Sequence, residues 1–202
     1  VQDSPSFFTA PVAPIALSAT AVCAAQAIAG AGNALINGAS ATGGVATFDV
    51  PRAASVVSAS AGDTTQTVTL TGTDVYGAAL TETIALNGTS TVNGKKAFKT
   101  ITQAAVSAAT AGNLSVGSTD ILGLPYRVDS RAQLLVYWDT AFVTTGTFVA
   151  AVSTTATATT GDVRGTFVPP TATNGTRTIS TVIFSAASNT NNLNLVIGVA
   201  QA

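Results

Sequence analysis

From about Ala46 onward, apolar and polar residues alternate with the period of two that turns one face of a strand inward. Gln66 to Thr73 sets Val68 and Leu70 on one face and Thr67, Thr69 and Thr71 on the other. Leu80 to Leu86 does the same with Leu80, Ile84 and Leu86, and Asp74-Val75-Tyr76-Gly77 between the two runs supplies turn chemistry, which predicts a hairpin. Gln133 to Trp138 is apolar on both faces, the pattern of a strand central in a sandwich. A Thr-rich stretch from Val152 to Gly161 precedes further strand-like runs at Val163 to Val168, ahead of Pro169-Pro170, and at Thr178 to Phe184. At the end, Leu193, Leu195, Ile197 and Val199 alternate with Asn194, Val196 and Gly198 and predict a final strand tied into a sheet.

Asn-Gly occurs at Asn37, Asn87, Asn93 and Asn174. The pair tolerates the positive φ angles of type I′ turns, so the four copies predict several antiparallel connections. Asn87 and Asn174 also satisfy the N-x-Ser/Thr sequon, and turn geometry accounts for both.

The opening of the chain reads differently. Pro5, Pro11 and Pro14 surround Phe7 and Phe8, and proline blocks regular structure, so residues 1–18 read as an extended arm ahead of a β-rich domain over 19–202, with a possible subdivision near 117–120. Two adjacent aromatics on an arm require burial, either on a partner subunit or by folding back on their own core. Ala19 to Ala31 has high helix propensity and is ended by Gly30 and Gly32, which predicts a short helix. Val12 to Ala29 is apolar but broken by Pro14, Ser18, Thr20 and Gln26, with no basic residue before it, and fits neither a signal peptide nor a membrane span. Many short strands with frequent turn signals predict an all-β fold, an antiparallel β-sandwich or jelly-roll-like domain with an extended N-terminal arm.

Composition sharpens this picture. Only 8% of the 202 residues are charged, against about 25% in ordinary globular proteins, and the net charge is -1. The surface must be built from hydroxyls, amides and small apolar groups, which suits a chain covered by neighbours or an exported β-domain better than a free cytosolic monomer. The basic residues are scattered apart from the run Lys95 to Lys99, which reads as a solvated turn or charged edge; no basic stripe exists to track a nucleic-acid backbone. Cys23 is the lone cysteine, flanked by Val and Ala, and reads as a small buried hydrophobe.

The chain contains no histidine, which removes Ser-His-Asp and Cys-His arrangements and the commonest metal ligand. With one cysteine, no zinc or iron–sulfur set can be assembled. Glu82 is the single glutamate; a glycosidase could in principle be built from two carboxylates such as Asp120 and Asp129, but the aspartates mostly sit beside Gly, Thr or Ser in turn-like contexts. Glu82 shares a strand face with Leu80 and Ile84, so it is either a charge placed on a sheet edge or the partner of one of the lysines. The expectation is a protein without enzymatic activity, cofactor or metal.

The segments 28–33, 35–38, 43–45, 49–52 and 68–74, with Gly77, 80–84 and 94–98, resemble a run seen in minor structural proteins of tailed bacteriophages, as does 161–167. The resemblance covers about residues 22–103 and 161–170, and its motifs are turns and strands with no chemistry in them. It implies a virion component, with head decoration (cement) the expected role: a β-module on the outer surface of the head that binds the major capsid protein, assembles as a symmetric homo-oligomer, a trimer before a dimer, and touches neither nucleic acid nor membrane. The Ala-rich opening and the proline arm depart from a generic member.

Phe7 and Phe8 on the arm, and Arg127 and Arg131 after the turn Gly123-Leu124-Pro125, are the expected capsid or subunit contacts. The alternatives are a tail or head fibre that binds host glycans by stacking on Tyr76, Tyr126, Tyr137 or Trp138, and a secreted adhesin-like module. Core packing is the expected use of Tyr137 and Trp138, given their apolar run.

Overall fold

The computed structural model describes residues 6–152 and 161–184. The Thr-rich stretch over 153–160, the first five residues and the expected strand at 193–199 lie outside the described residues. The strands begin with β1 (Ser6–Phe8), β2 (Cys23–Gln26), β3 (Gly32–Asn33), β4 (Ala41–Thr42) and β5 (Val45–Ser58). Next come β6 (Thr67–Thr73), β7 (Ala79–Ala85), β8 (Val92–Asn93), β9 (Phe98–Val106) and β10 (Leu114–Gly123). A 3-10 turn, Arg131–Gln133, leads into β11 (Leu134–Trp138), followed by β12 (Ala141–Val143), β13 (Thr147–Val149), β14 (Thr166–Val168) and β15 (Ile179–Phe184).

All strand pairings among the described residues are antiparallel, and the fold is the all-β sandwich that the alternation implies. A large sheet runs β13-β14-β10-β5-β9-β6-β7, with β2 added to β10, β3 to β9, and β4 and β8 to β5; a smaller sheet runs β1-β15-β11-β12. The hairpin read from the sequence is β6–β7, in register from Thr67 opposite Ala85 to Thr73 opposite Ala79. β11 lies inside the small sheet, between β15 and β12.

Two apolar cores result. The first gathers Phe48, Val56, Leu70, Phe98, Ile101 and Leu114 of the large sheet together with Val22, Cys23, Ile28 and Ile36. The second lies between the sheets, where Leu122 and Phe167 of the large sheet meet Leu134, Val136, Trp138 and Ile183 of the small one. β10 feeds both, with Leu114 and Val116 in the first core and Leu122 in the second. Its register against β5 shifts between Ser118 and Leu122. β5 bends in the same region: its pairing with β9 skips from Thr47 to Arg52, across Pro51, whose missing N–H cannot join a ladder.

Two local expectations give way to long-range pairing. Ala19 to Ala31 forms no helix; it contributes β2, which pairs with β10 through Gln26 opposite Leu114 and Cys23 opposite Val116. Helix propensity is a small energy per residue even for alanine, and burial of Val22 and Cys23 against the first core outweighs it. The type I′ geometry expected at Asn-Gly is also absent there, because no asparagine among the described residues has positive φ. Both central residues are positive at Gly43-Gly44, between β4 and β5, and at Asp139-Thr140, between β11 and β12.

The arm folds back on its own chain. β1 pairs with β15, Val12 bridges Ile179, and Thr9 N–H donates to the Thr181 carbonyl at 3.0 Å. Proline therefore limits the arm to short pieces of strand without excluding them.

Candidate functional site

The charged residues of this chain are mainly structural, and their placement decides what the surface offers. Asp74 opens the β6–β7 turn, where Oδ1 accepts the N–H groups of Tyr76 at 2.8 Å and Ala78 at 2.9 Å. Its Oδ2 takes Arg164 Nη1 at 2.7 Å in a mostly buried ion pair. Burial pushes the Asp74 carboxyl upward, but the Arg164 and backbone hydrogen bonds and the guanidinium charge outweigh it and hold the group below its ordinary value.

A second cluster corrects the reading of the lysine run. Lys95 is exposed, but Lys96 is fully buried and its Nζ donates to the Gly161 carbonyl at 3.2 Å. Glu82 is also buried: its carboxylate accepts the backbone N–H of Lys95 at 2.6 Å and of Lys96 at 3.2 Å. Glu82 thus pairs with the lysine segment chiefly through backbone, on a strand at the margin of the large sheet. Gly94 is required by this approach, since a Cβ there would lie 2.5 Å from Glu82 Oε2. Burial raises the Glu82 carboxyl, partly offset by the two amides and both lysine charges; burial lowers Lys96, partly offset by Glu82 and Asp162. Asp162 completes the cluster by accepting Ala97 N–H at 2.9 Å and Arg164 N–H at 2.8 Å. The hairpin, the start of β9 and the segment 161–164 are thereby locked together.

The third cluster clamps the arm. Arg52, 1% exposed, pairs with Asp49 at 2.8 Å and donates through Nη1 to the Ile15 carbonyl at 3.1 Å. Asp49 accepts Ile15 N–H at 2.7 Å, and the single proton of Thr173 Oγ1 is shared between the Ile15 carbonyl at 2.8 Å and Asp120 at 2.6 Å. Asp120 is thus engaged with Thr173 rather than held ready with Asp129, which forms an exposed ion pair with Arg127 at 2.6 Å. Elsewhere Asp63 closes two loops by accepting Ser58 Oγ at 2.5 Å and the N–H groups of Ala111 and Gly112. Those bonds, led by Ser58, depress its carboxyl.

The arm is held by its backbone and leaves apolar side chains outward. Phe8, Val12, Ile15 and Leu17 are among the large hydrophobic residues that remain exposed. Phe8 is 68% exposed on β1, at one margin of the small sheet, and Phe7 pairs through its backbone with Ile183. Arg131 serves the other margin, bonding the Leu134 carbonyl and, at 3.2 Å, the Val143 carbonyl. Arg127 is exposed and reaches the Val163 carbonyl at 3.2 Å. The structure thus spreads the four expected contact residues over three places: Phe7 and Phe8 share β1, Arg127 lies in the loop after β10, and Arg131 opens the 3-10 turn.

Among the aromatics, Trp138 is buried and donates through Nε1 to Thr171 Oγ1 at 2.8 Å, and half-buried Tyr137 packs edge-on against Phe142 at 5.9 Å. Tyr76 and Tyr126 remain exposed. An apolar cavity of about 150 Å³ lies beneath the arm, lined by Val12, Val50, Leu122, Leu124, Phe167 and Ile179. A recess of about 430 Å³ between the arm, β8 and β10 is lined by Leu17, Ser55, Asn93, Ser118 and Asp120. No three metal-ligating side chains converge among the described residues, and no helix there is long and apolar enough to cross a membrane.

The sequence held half of the signal for these clusters: the phase of Glu82 with Leu80 and Ile84 marks it as inward-facing, but nothing local shows that Lys96 or Arg164 turns inward with it. Compared with family models, curated proteins and solved structures, the chain matches none.

Proposed function

We propose that this chain is a non-catalytic structural protein of a tailed-phage particle, a decoration protein that sits on the outer face of the head and bridges neighbouring capsomers. The observation that carries the reading is the arm: a segment pinned through its backbone at Ile15 and Val12 that turns Phe8, Val12, Ile15 and Leu17 to solvent. Four exposed apolar groups within one short segment on a low-charge surface favour a covering partner, and a capsid lattice offers many equivalent copies of one. The internal use of Arg52, Asp63, Asp74, Glu82, Lys96 and Asp162 supports the same reading, since these charges hold loops and leave the outer surface to hydroxyls and small apolar groups. Repeated modest contacts by a symmetric homo-oligomer, a trimer before a dimer, then supply avidity without one tight site.

Cosedimentation of the purified chain with heads that lack it tests the proposal, with circular dichroism as the check on folding. Saturable binding at a fixed ratio to the major capsid protein is expected, weakened by Phe8→Ser and Leu17→Ser and accompanied by a gain in head resistance to heat and low salt. Heads that neither bind the chain nor change in stability would overturn the reading.

A further inference from the structure

We propose that Tyr76 and Tyr126 form a preorganised aromatic platform that binds a saccharide. Tyr76 is 62% exposed, yet its ring is fixed from several sides. Its Oη donates to the Pro125 carbonyl at 2.7 Å, and its backbone N–H is held by Asp74. The Arg164 guanidinium lies 5.4 Å from the ring centroid. Arg164 is itself anchored by Asp74 and by the Leu124 carbonyl, which Nε reaches at 3.2 Å. A mostly buried ion pair thus backs an exposed ring, and Gly77, at φ 79°, reverses the chain beside it.

Tyr126 follows Pro125, the residue that receives the Tyr76 hydroxyl, and is also exposed, so the 74–77 turn and the 123–126 turn present two rings on one part of the surface. The two phenols are close enough to interact electrostatically.

Rigid tyrosines give a large amphipathic contact at a small ordering cost, because few torsions remain to be fixed on binding. The flat face of a ring suits the C–H face of a pyranose, and the exposed Arg127 and Asp129 next along the chain supply charged partners for sugar hydroxyls. A protein hot spot needs apolar residues around it to exclude water. Of the exposed aliphatic residues, Val12 alone lines the same cavity as Pro125, too little apolar surface to ring the two tyrosines, which favours a saccharide over a protein at this patch. This inference is independent of the head-binding arm.

Affinity electrophoresis tests it, with native gels containing hydroxyethyl cellulose, soluble starch or a bacterial O-polysaccharide freed of its lipid. The full chain is expected to be retarded in at least one gel, and Tyr76→Ala and Tyr126→Ala each to weaken that binding about tenfold. Tyr76→Phe, which keeps the ring and loses only its hydroxyl anchor, should lose less, and Phe142→Ala should behave as the unchanged chain. Cosedimentation with heads should be unaffected by Tyr76→Ala. No retardation in any gel, or retardation indifferent to both tyrosines, overturns the proposal. So does a Tyr76→Ala variant that loses head binding while the unchanged chain ignores every polysaccharide, because the patch is then a protein contact.

Discussion

The backbone N–H of Lys96 donates to the Glu82 carboxylate at 3.2 Å, while the side chain of the same lysine turns to the Gly161 carbonyl. One residue therefore ties the margin of the large sheet to the segment that leads into β14. A buried carboxylate and a buried ammonium lose hydration on folding, and each is tolerated because the other charge and the surrounding amides compensate.

Glu82→Gln sets an amide NH2 where one oxygen now accepts from the Lys95 or Lys96 backbone, and Lys96→Met removes a charge that offsets the burial of Glu82. Glu82→Gln and Lys96→Met are each expected to lower unfolding free energy by about 3 kcal/mol. The double variant should lose less than the sum of the two, by at least about 1 kcal/mol. Urea unfolding of the four proteins measures this, and strict additivity would show that the two groups do not compensate one another.

Acid sensitivity follows from the depressed carboxyls. Asp63 and Asp74 bind protons less readily folded than unfolded, so their stabilisation is complete above the ordinary value of 3.8 and is lost as pH falls below it. Glu82 acts in the opposite sense: its raised value makes ionisation oppose folding, and acidification toward 4.5 relieves that penalty. The thermal midpoint followed by circular dichroism should hold or rise slightly as pH drops toward 4.5, then fall steeply below 3.8. Asp63→Asn should start lower at neutral pH and show a flatter acid limb.

The β11–β12 turn carries backbone strain. Thr140 is β-branched and sits at φ 68°, a region that glycine occupies freely. Thr140→Gly creates the Asp-Gly pair that type I′ turns favour and should raise stability by about 1 kcal/mol, read as an upward shift of the urea midpoint at unchanged slope.

Because β10 supplies side chains to both cores, the two should unfold together. Trp138, the single tryptophan, reports the second core, and Cys23, fully buried with its thiol pushed up to about 12, reports the first. Tryptophan emission and the onset of thiol reaction with an aromatic disulfide should give the same urea midpoint. Separated transitions would mean that the register shift in β10 uncouples the cores.

The features legible in the chain were those set by near neighbours. Alternation at Thr67–Thr73 and Ala79–Ala85, with Asp74 between, specifies the hairpin because side-chain direction and turn chemistry are local properties. The inward phase of Glu82 and the apolar setting of Cys23 were readable for the same reason. Tertiary structure decided the rest. Ala19 to Ala31 abandoned its helical preference because β10 offered a ladder and a core, and Lys96 left the solvent because Gly161 and Asp162 came to meet it from 65 residues or more away along the chain. The Tyr76 ring is fixed by Pro125 and Arg164, distant by 49 and 90 residues from the turn they support, as the hydrogen bonds of Tyr76 and Asp74 record. Local patterns fix which face of a strand points inward. Which charges can be buried depends on partners that only the completed fold brings within hydrogen-bonding distance.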